Sequence, residues 1–158
     1  MKRICFFIIA VLVAAQIWAG GAAEDSVSED KQTEPATITV TDCIGRDVTI
    51  PADAEHFVAI GPGCLRLYCY VGDVEKIVGI EQLEVKNGST GRPYAKANMS
   101  LLELPIIGPG GPGNAPDPEK ILEVSPDVIF SLYNSDASSV DELQNKTGIP
   151  VVTLSYGD

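Results

Sequence analysis

The 158-residue chain has few of the residues that usually carry chemistry: one histidine (His56), one tryptophan and four cysteines. It contains no Cys-x-x-Cys pair and no Cys/His cluster, so no metal centre of the usual zinc type is expected. Cys5 lies in an apolar N-terminal stretch, leaving Cys43, Cys64 and Cys69 beyond it. Three is an odd number and makes no complete disulfide framework. These thiols are expected as small buried hydrophobes. Gly-x-Ser-x-Gly is absent, and His56 has no evident nucleophile partner, which removes the commonest hydrolase arrangements. No Gly-Lys-Ser/Thr follows a glycine-rich loop, so a P-loop is excluded. Basic residues are scarce, with 11 Lys and Arg against 22 Asp and Glu and a net charge of −11. A nucleic-acid partner needs a basic footprint, and none is expected. The acidity serves solubility or docking to a basic partner. The expectation is a non-enzymatic protein without a cofactor.

The N-terminus reads as an export signal. Lys2 and Arg3 precede an apolar core over residues 4–17, and small residues follow at 19–23. A core of about 14 residues suits a secretory leader and is short for a membrane span of roughly 20. Residues 1–23 are therefore assigned to a signal peptide. Residues 24–36 are acidic, polar and almost free of large apolar side chains, as in a disordered linker. Residues 37–158 are left for one domain of roughly 120 residues with a modest core.

Residues 37–41 and 46–50 alternate apolar and polar side chains around Asp42-Cys43-Ile44-Gly45, which predicts a β-hairpin. Apolar runs at 57–60, 77–80, 105–107, 128–130 and 149–154 predict buried strands. Helices are predicted at 64–71, 118–124 and 140–146. For the second, Asp117 is the cap, Pro118 the first helical residue and Glu119 a first-turn acid. Residues 81–104 show little periodicity and read as a long connection, a feature often functional in a compact domain. Alternating strands and short helices predict an α/β fold with a mostly parallel sheet flanked by helices. Ligands in such sheets bind outside the carboxyl ends of the strands. The loops there, near residues 61–64, 81–94, 108–114, 133–136 and 155–158, hold nearly all the unusual composition.

Gly108-Pro-Gly-Gly-Pro-Gly113 has the letters of a dinucleotide fingerprint. Pro109 and Pro112, however, remove amide donors that a pyrophosphate needs, and the next helix starts too late. The glycines there, Gly110 and Gly111 included, instead allow close approach of backbone to a ligand or to another loop. Arg66 and Arg92 lie at the predicted binding edge, where guanidinium groups suit carboxylates, phosphates or oxyanions. Tyr94 and Tyr156 offer rings to stack and hydroxyls to bond. Asp127 reads as a turn residue away from that edge.

Together these residues resemble the N-terminal lobe of periplasmic substrate-binding proteins of ABC importers, in the group for iron–siderophore, haem and cobalamin. The resemblance rests on Asp42, Gly45, Arg46, Val48, Ile50 and Pro51 of the hairpin. It rests also on Glu119, Ile121, Leu122, Pro126 and Asp127 of the helix–strand phrase, and on Thr147-Gly148-Ile149-Pro150-Val151-Val152. The loops 61–63 and 108–114 are similar to those of an iron-complex branch. It implies one α/β lobe of a two-lobe clam, with the linking helix and second lobe absent from this chain as a fragment or a truncation. It also implies a small-molecule ligand held between lobes and delivered to a membrane permease from the periplasm or extracytoplasmic face. The expected ligand contacts are Pro62, Gly63, Cys64, Arg66, Arg92, Tyr94, Gly110, Gly111, Asn134 and Tyr156. Glu119 matches an acidic residue that docks on the permease. The expected cargo is an iron chelate such as a siderophore, haem or a cobalamin-like molecule. Molybdate or tungstate, a lone-lobe interaction module, and an exported enzyme fragment are the alternatives.

Overall fold

The computed structural model describes residues 36–133 and 136–157. The signal-peptide and linker assignments, apart from Ala36, lie outside these residues. No helix among the described residues is long and apolar enough to cross a membrane.

A two-stranded antiparallel hairpin comes first: β1 (Thr37–Thr41) pairs with β2 (Asp47–Pro51). Asp42 shapes its turn. Its Oδ1 accepts the backbone N–H groups of Ile44 and Arg46, and its Oδ2 accepts the Arg46 guanidinium at 2.8 and 3.0 Å. Arg46 also donates to Asp141 and to the carbonyl of Val151, clipping the hairpin to the far end of the chain. Burial by itself would raise the Asp42 carboxyl. Hydrogen bonds from the Arg46 backbone and guanidinium and from Thr153, with the Arg46 charge, outweigh that and lower it below its ordinary 3.8. The unfolded chain therefore takes up this proton first as the solution is acidified. The stabilisation is full above the ordinary value and is lost as pH falls through the folded one. The urea midpoint is expected to drop between about pH 5 and about pH 3, and Asp42→Asn to lower the midpoint at the higher pH and flatten the drop. An unchanged pH profile in the variant would remove Asp42 as the cause.

The main sheet has four strands in the order β4-β3-β5-β6, all parallel: β3 (Phe57–Ile60), β4 (Ile77–Gly79), β5 (Val128–Ser131) and β6 (Val151–Thr153). Side chains on a strand alternate between faces, and β3 does so. Ala59 joins one core with α1 (Cys64–Val71) and α3 (Pro93–Ala97). Val58 and Ile60 join the other with α4 (Pro118–Glu123) and α5 (Ala137–Thr147). Helices thus cover both faces, as the continuous apolar strands require. Asp117 caps α4 by accepting from the Lys120 N–H, with Pro118 at the first helical position. Asp127 Oδ2 accepts the N–H groups of Glu55 and His56, tying the start of β5 to the start of β3.

Four expectations are corrected. Residues 81–104 are not a structureless connection. They form α2 (Gln82–Asn87), α3 and a 3-10 helix (Met99–Glu103). Each is too short to show a 3.6-residue period. Residues 105–107 make only one bridge, Ile80 to Ile106, rather than a strand. α5 begins at Ala137, three residues earlier than its apolar positions suggest, because Asp136 caps it by accepting from the Ser138 N–H. Of the cysteines, Cys64 is buried and Cys69 half-buried, but Cys43 is exposed, so the expectation of buried thiols does not hold for Cys43.

Candidate functional site

The carboxyl ends of β3 and β4 and the chain past β6 border an open cavity of about 440 Å³, within the usual range of small-molecule sites. Its wall includes Pro62, Gly63, Arg66, Arg92, Tyr94 and Tyr156, which the sequence singled out, and Tyr70, Glu81, Leu83 and Glu84, which it did not.

The β3–α1 turn supplies one side. Gly63 is in the left-handed region at φ +85°, where only glycine is unstrained. A Cβ there would also collide with the Tyr156 hydroxyl. Absence of that atom lets Tyr156 fold over the start of α1, with the Arg66 guanidinium 5.2 Å from the centre of its ring. Both side chains are exposed, so this cation–π pair presents an accessible positive charge.

Arg92 is different. One terminal nitrogen donates to the carbonyls of Glu84 and Gly88, at 3.0 and 3.1 Å. The other donates to Glu84 Oε2 and to the Tyr94 hydroxyl. Tyr94 donates in turn to Glu84 Oε2 at 2.8 Å. The guanidinium closes the end of α2 and joins it to α3, so all its terminal N–H groups have partners within the chain. Tyr94 is 6% exposed. Burial foremost, then the hydrogen bond to Glu84, raises its phenol. Arg92 and Tyr94 line the cavity as expected of the binding edge, with their polar groups occupied by partners within the chain.

Cys64 is fully buried, with its thiol donating to the Phe130 carbonyl at 3.5 Å. Burial pushes the thiol up to about 12. It belongs to the core and not to the cavity wall. Gly110 and Gly111 also lie off that wall. A Cβ on Gly110, at φ +67°, would stand 2.6 Å from Glu81 Cβ, and one on Gly111 would stand 3.0 Å from Leu83. Their close approach is to Glu81 and to Leu83 of α2, which stand between them and the cavity wall's other residues. Asn134 lies outside the described residues. Glu119 is exposed on α4, beside a separate groove lined by Pro109, Pro116, Leu122 and Lys146.

Glu81 is the residue that sequence reasoning missed. It lies two residues past β4, is 6% exposed, and its Oε1 accepts the Gly61 N–H at 3.0 Å and the Tyr133 hydroxyl at 3.3 Å. Tyr133 also reaches the Gly111 carbonyl at 3.1 Å. Glu81 thereby ties together the loops that follow β3 and β5 and the one near Gly110. Burial, and to a smaller extent Glu84, raises its carboxyl against the lowering hydrogen bonds from Gly61 and Tyr133. The available signal was an acid placed immediately after an apolar run, at the carboxyl end of a parallel strand.

No protein-family model matches the sequence, and no curated protein matches it. Solved structures do resemble the fold. A periplasmic solute binding protein from Veillonella parvula aligns with a TM-score of 0.62 and 23% identity, over 78% of this chain and 36% of its own. The molybdate periplasmic binding protein MolA from Haemophilus influenzae, solved with molybdate bound, aligns at 0.60 and 24%, over 75% and 34%. The heme binding protein HmuT aligns at 0.50 and 18%, over 86% and 40%. The chain thus spans little more than a third of the length of these structures, and its fold matches one part of theirs.

Proposed function

We propose that this chain is the ligand-capturing first lobe of an exported solute-binding protein that delivers an iron chelate to an ABC permease. The observation that carries the reading is the cavity at the strand ends, where Arg66 over Tyr156 supplies the accessible cation. The fold shared with solute-binding structures supports it. The open cavity has room for a ligand larger than a bare tetrahedral oxyanion. Tyr156 supplies an exposed flat face for such a ligand and Arg66 a partner for its carboxylate. The protein binds and releases its cargo without transforming it. Glu119, exposed in the first turn of α4, is the proposed contact with basic residues of the permease, and a pull-down weakened by Glu119→Ala tests it.

Titration of the chain with haem, ferric siderophores, cobalamin and molybdate tests the cargo. Saturable binding of a ferric chelate or haem is expected, and binding of molybdate alone would replace the chelate by the oxyanion. Arg66→Ala is expected to weaken binding about 10- to 100-fold, the worth of one charge-assisted hydrogen bond, with the urea midpoint unchanged. Undiminished affinity in that variant would refute the role of Arg66.

A further inference from the structure

The geometry points to Glu81 as the residue that makes this cavity selective for an anion that also carries a hydrogen-bond donor. The inference rests on the anion-capturing reading above and narrows its ligand class. Glu81 is more than nine-tenths buried, and its two oxygens are in different situations. Oε1 accepts from Gly61 and Tyr133. Oε2 accepts no hydrogen bond from any described residue. No fully buried side-chain oxygen among the described residues lacks a partner, so Oε2 is not sealed in the protein. Glu81 lines the cavity with Oε2 on the side of Gly110, and an oxygen neither bonded nor sealed there takes a donor from whatever fills the cavity.

The charges around it set the sign of the preference. From α2 comes Glu84, and from α3 Arg92 and Tyr94, which are joined to Glu84. From α1 come Arg66 and the buried Cys64, and from the end of β5 Tyr133. The loop near Gly110 brings no titratable side chain. Glu84 and Arg92 cancel, which leaves Arg66 to attract an anion and Glu81 to repel it. A fully deprotonated anion on Arg66 sets lone pairs against lone pairs at Glu81. An anion with an O–H or N–H group turns that contact into a charge-assisted hydrogen bond. Gly61, bonded to Glu81, and Gly63, packed beside Tyr156 and Arg66, are two residues apart, at most about 7 Å along the chain. The donor and the anionic group therefore belong to one compact head, such as a hydroxycarboxylate or a monohydrogen oxyanion.

Matched probes test this without knowledge of the cargo. The full chain is titrated calorimetrically with malate against succinate, and with phosphate against sulfate. The members of each pair are close in size and differ in the proton they can donate. Malate and phosphate are expected to bind about 10-fold or more tighter than their partners. In Glu81→Gln the amide oxygen still accepts from Gly61, while the NH₂ group now donates. The preference is expected to vanish or invert, with sulfate and succinate gaining affinity, a gain that misfolding does not produce. Equal binding within each wild-type pair, with loss of both in Arg66→Ala, overturns the donor requirement and leaves anion capture standing. No binding of any of the four by a chain with native circular dichroism overturns both. The wild-type comparison decides the question even where the Gln variant does not fold.

Discussion

Arg92→Ala is expected to destabilise the chain by about 3–5 kcal/mol, the range for removing one partner of a largely buried ion pair. The side chains of Arg92 and Glu84 are 19% and 9% exposed. Truncation would strip Glu84 of its counter-charge, remove the Arg92 donor from the Gly88 carbonyl and one of two donors from the Glu84 carbonyl, and leave the Tyr94 hydroxyl without a donor. A large share of a typical domain's 5–15 kcal/mol depends on that one side chain. Arg92→Lys should recover little, because a single ammonium does not reproduce a planar fork that serves four acceptors. The double variant Arg92→Ala/Glu84→Ala should be more stable than Arg92→Ala alone, since it leaves no buried charge unpaired. Urea midpoints for the four proteins check this. A stable Arg92→Ala chain that no longer binds ligand would make Arg92 the ligand arginine after all. Each guanidinium lies over a tyrosine ring, and the contrast is that Arg66 is exposed while Arg92 is bonded on both terminal nitrogens.

Ile129→Ala is expected to cost about 2–5 kcal/mol. Ile129 sits on β5, the strand between β3 and β6, paired with Val58 and Val151, and is wholly buried with Val140 and Leu143 of α5. Neighbours on both strands and on a helix leave the site little room to collapse, so the lost methyl groups become a cavity. Leu122→Ala, from the same short stretch of sequence, is the control. Leu122 is 43% exposed on α4, and its truncation should change stability by no more than about 0.5 kcal/mol. Comparable losses in the two variants would mean that β5 is not the central scaffold described.

Much of the scaffold was legible because its signals are local. The limits of α1 follow from Gly63 before it and Gly72 after it. The hairpin follows from alternation around Asp42, and α4 from Asp117 and Pro118. The sheet was legible as parallel because apolar runs alternate with helices. The start of α5 was not, since Ala137, Ser138 and Ser139 carry no apolar pattern and the helix there depends on the Asp136 cap. Nor were α2 and α3, which are shorter than two turns and are held by Arg92 bridging one to the other.

The candidate site divides along the same line. Strand direction and loop position follow from element order, so the sequence already gathers the unusual residues at the carboxyl ends of the strands. It placed Arg66, Arg92, Tyr94 and Tyr156 on that edge without distinguishing among them. Folding alone settles which guanidinium is accessible and which belongs to an internal network. It also sets Cys64 toward the core, makes room for Glu81 at Gly110, and bonds Glu81 to Gly61 and Tyr133 through one oxygen only. The physical reason is that caps, turns and periodicity act over a few residues of chain. What a charged side chain can offer a ligand depends on partners brought to it through space, such as Glu84 for Arg92, Tyr156 for Arg66, and Gly61 with Tyr133 for Glu81.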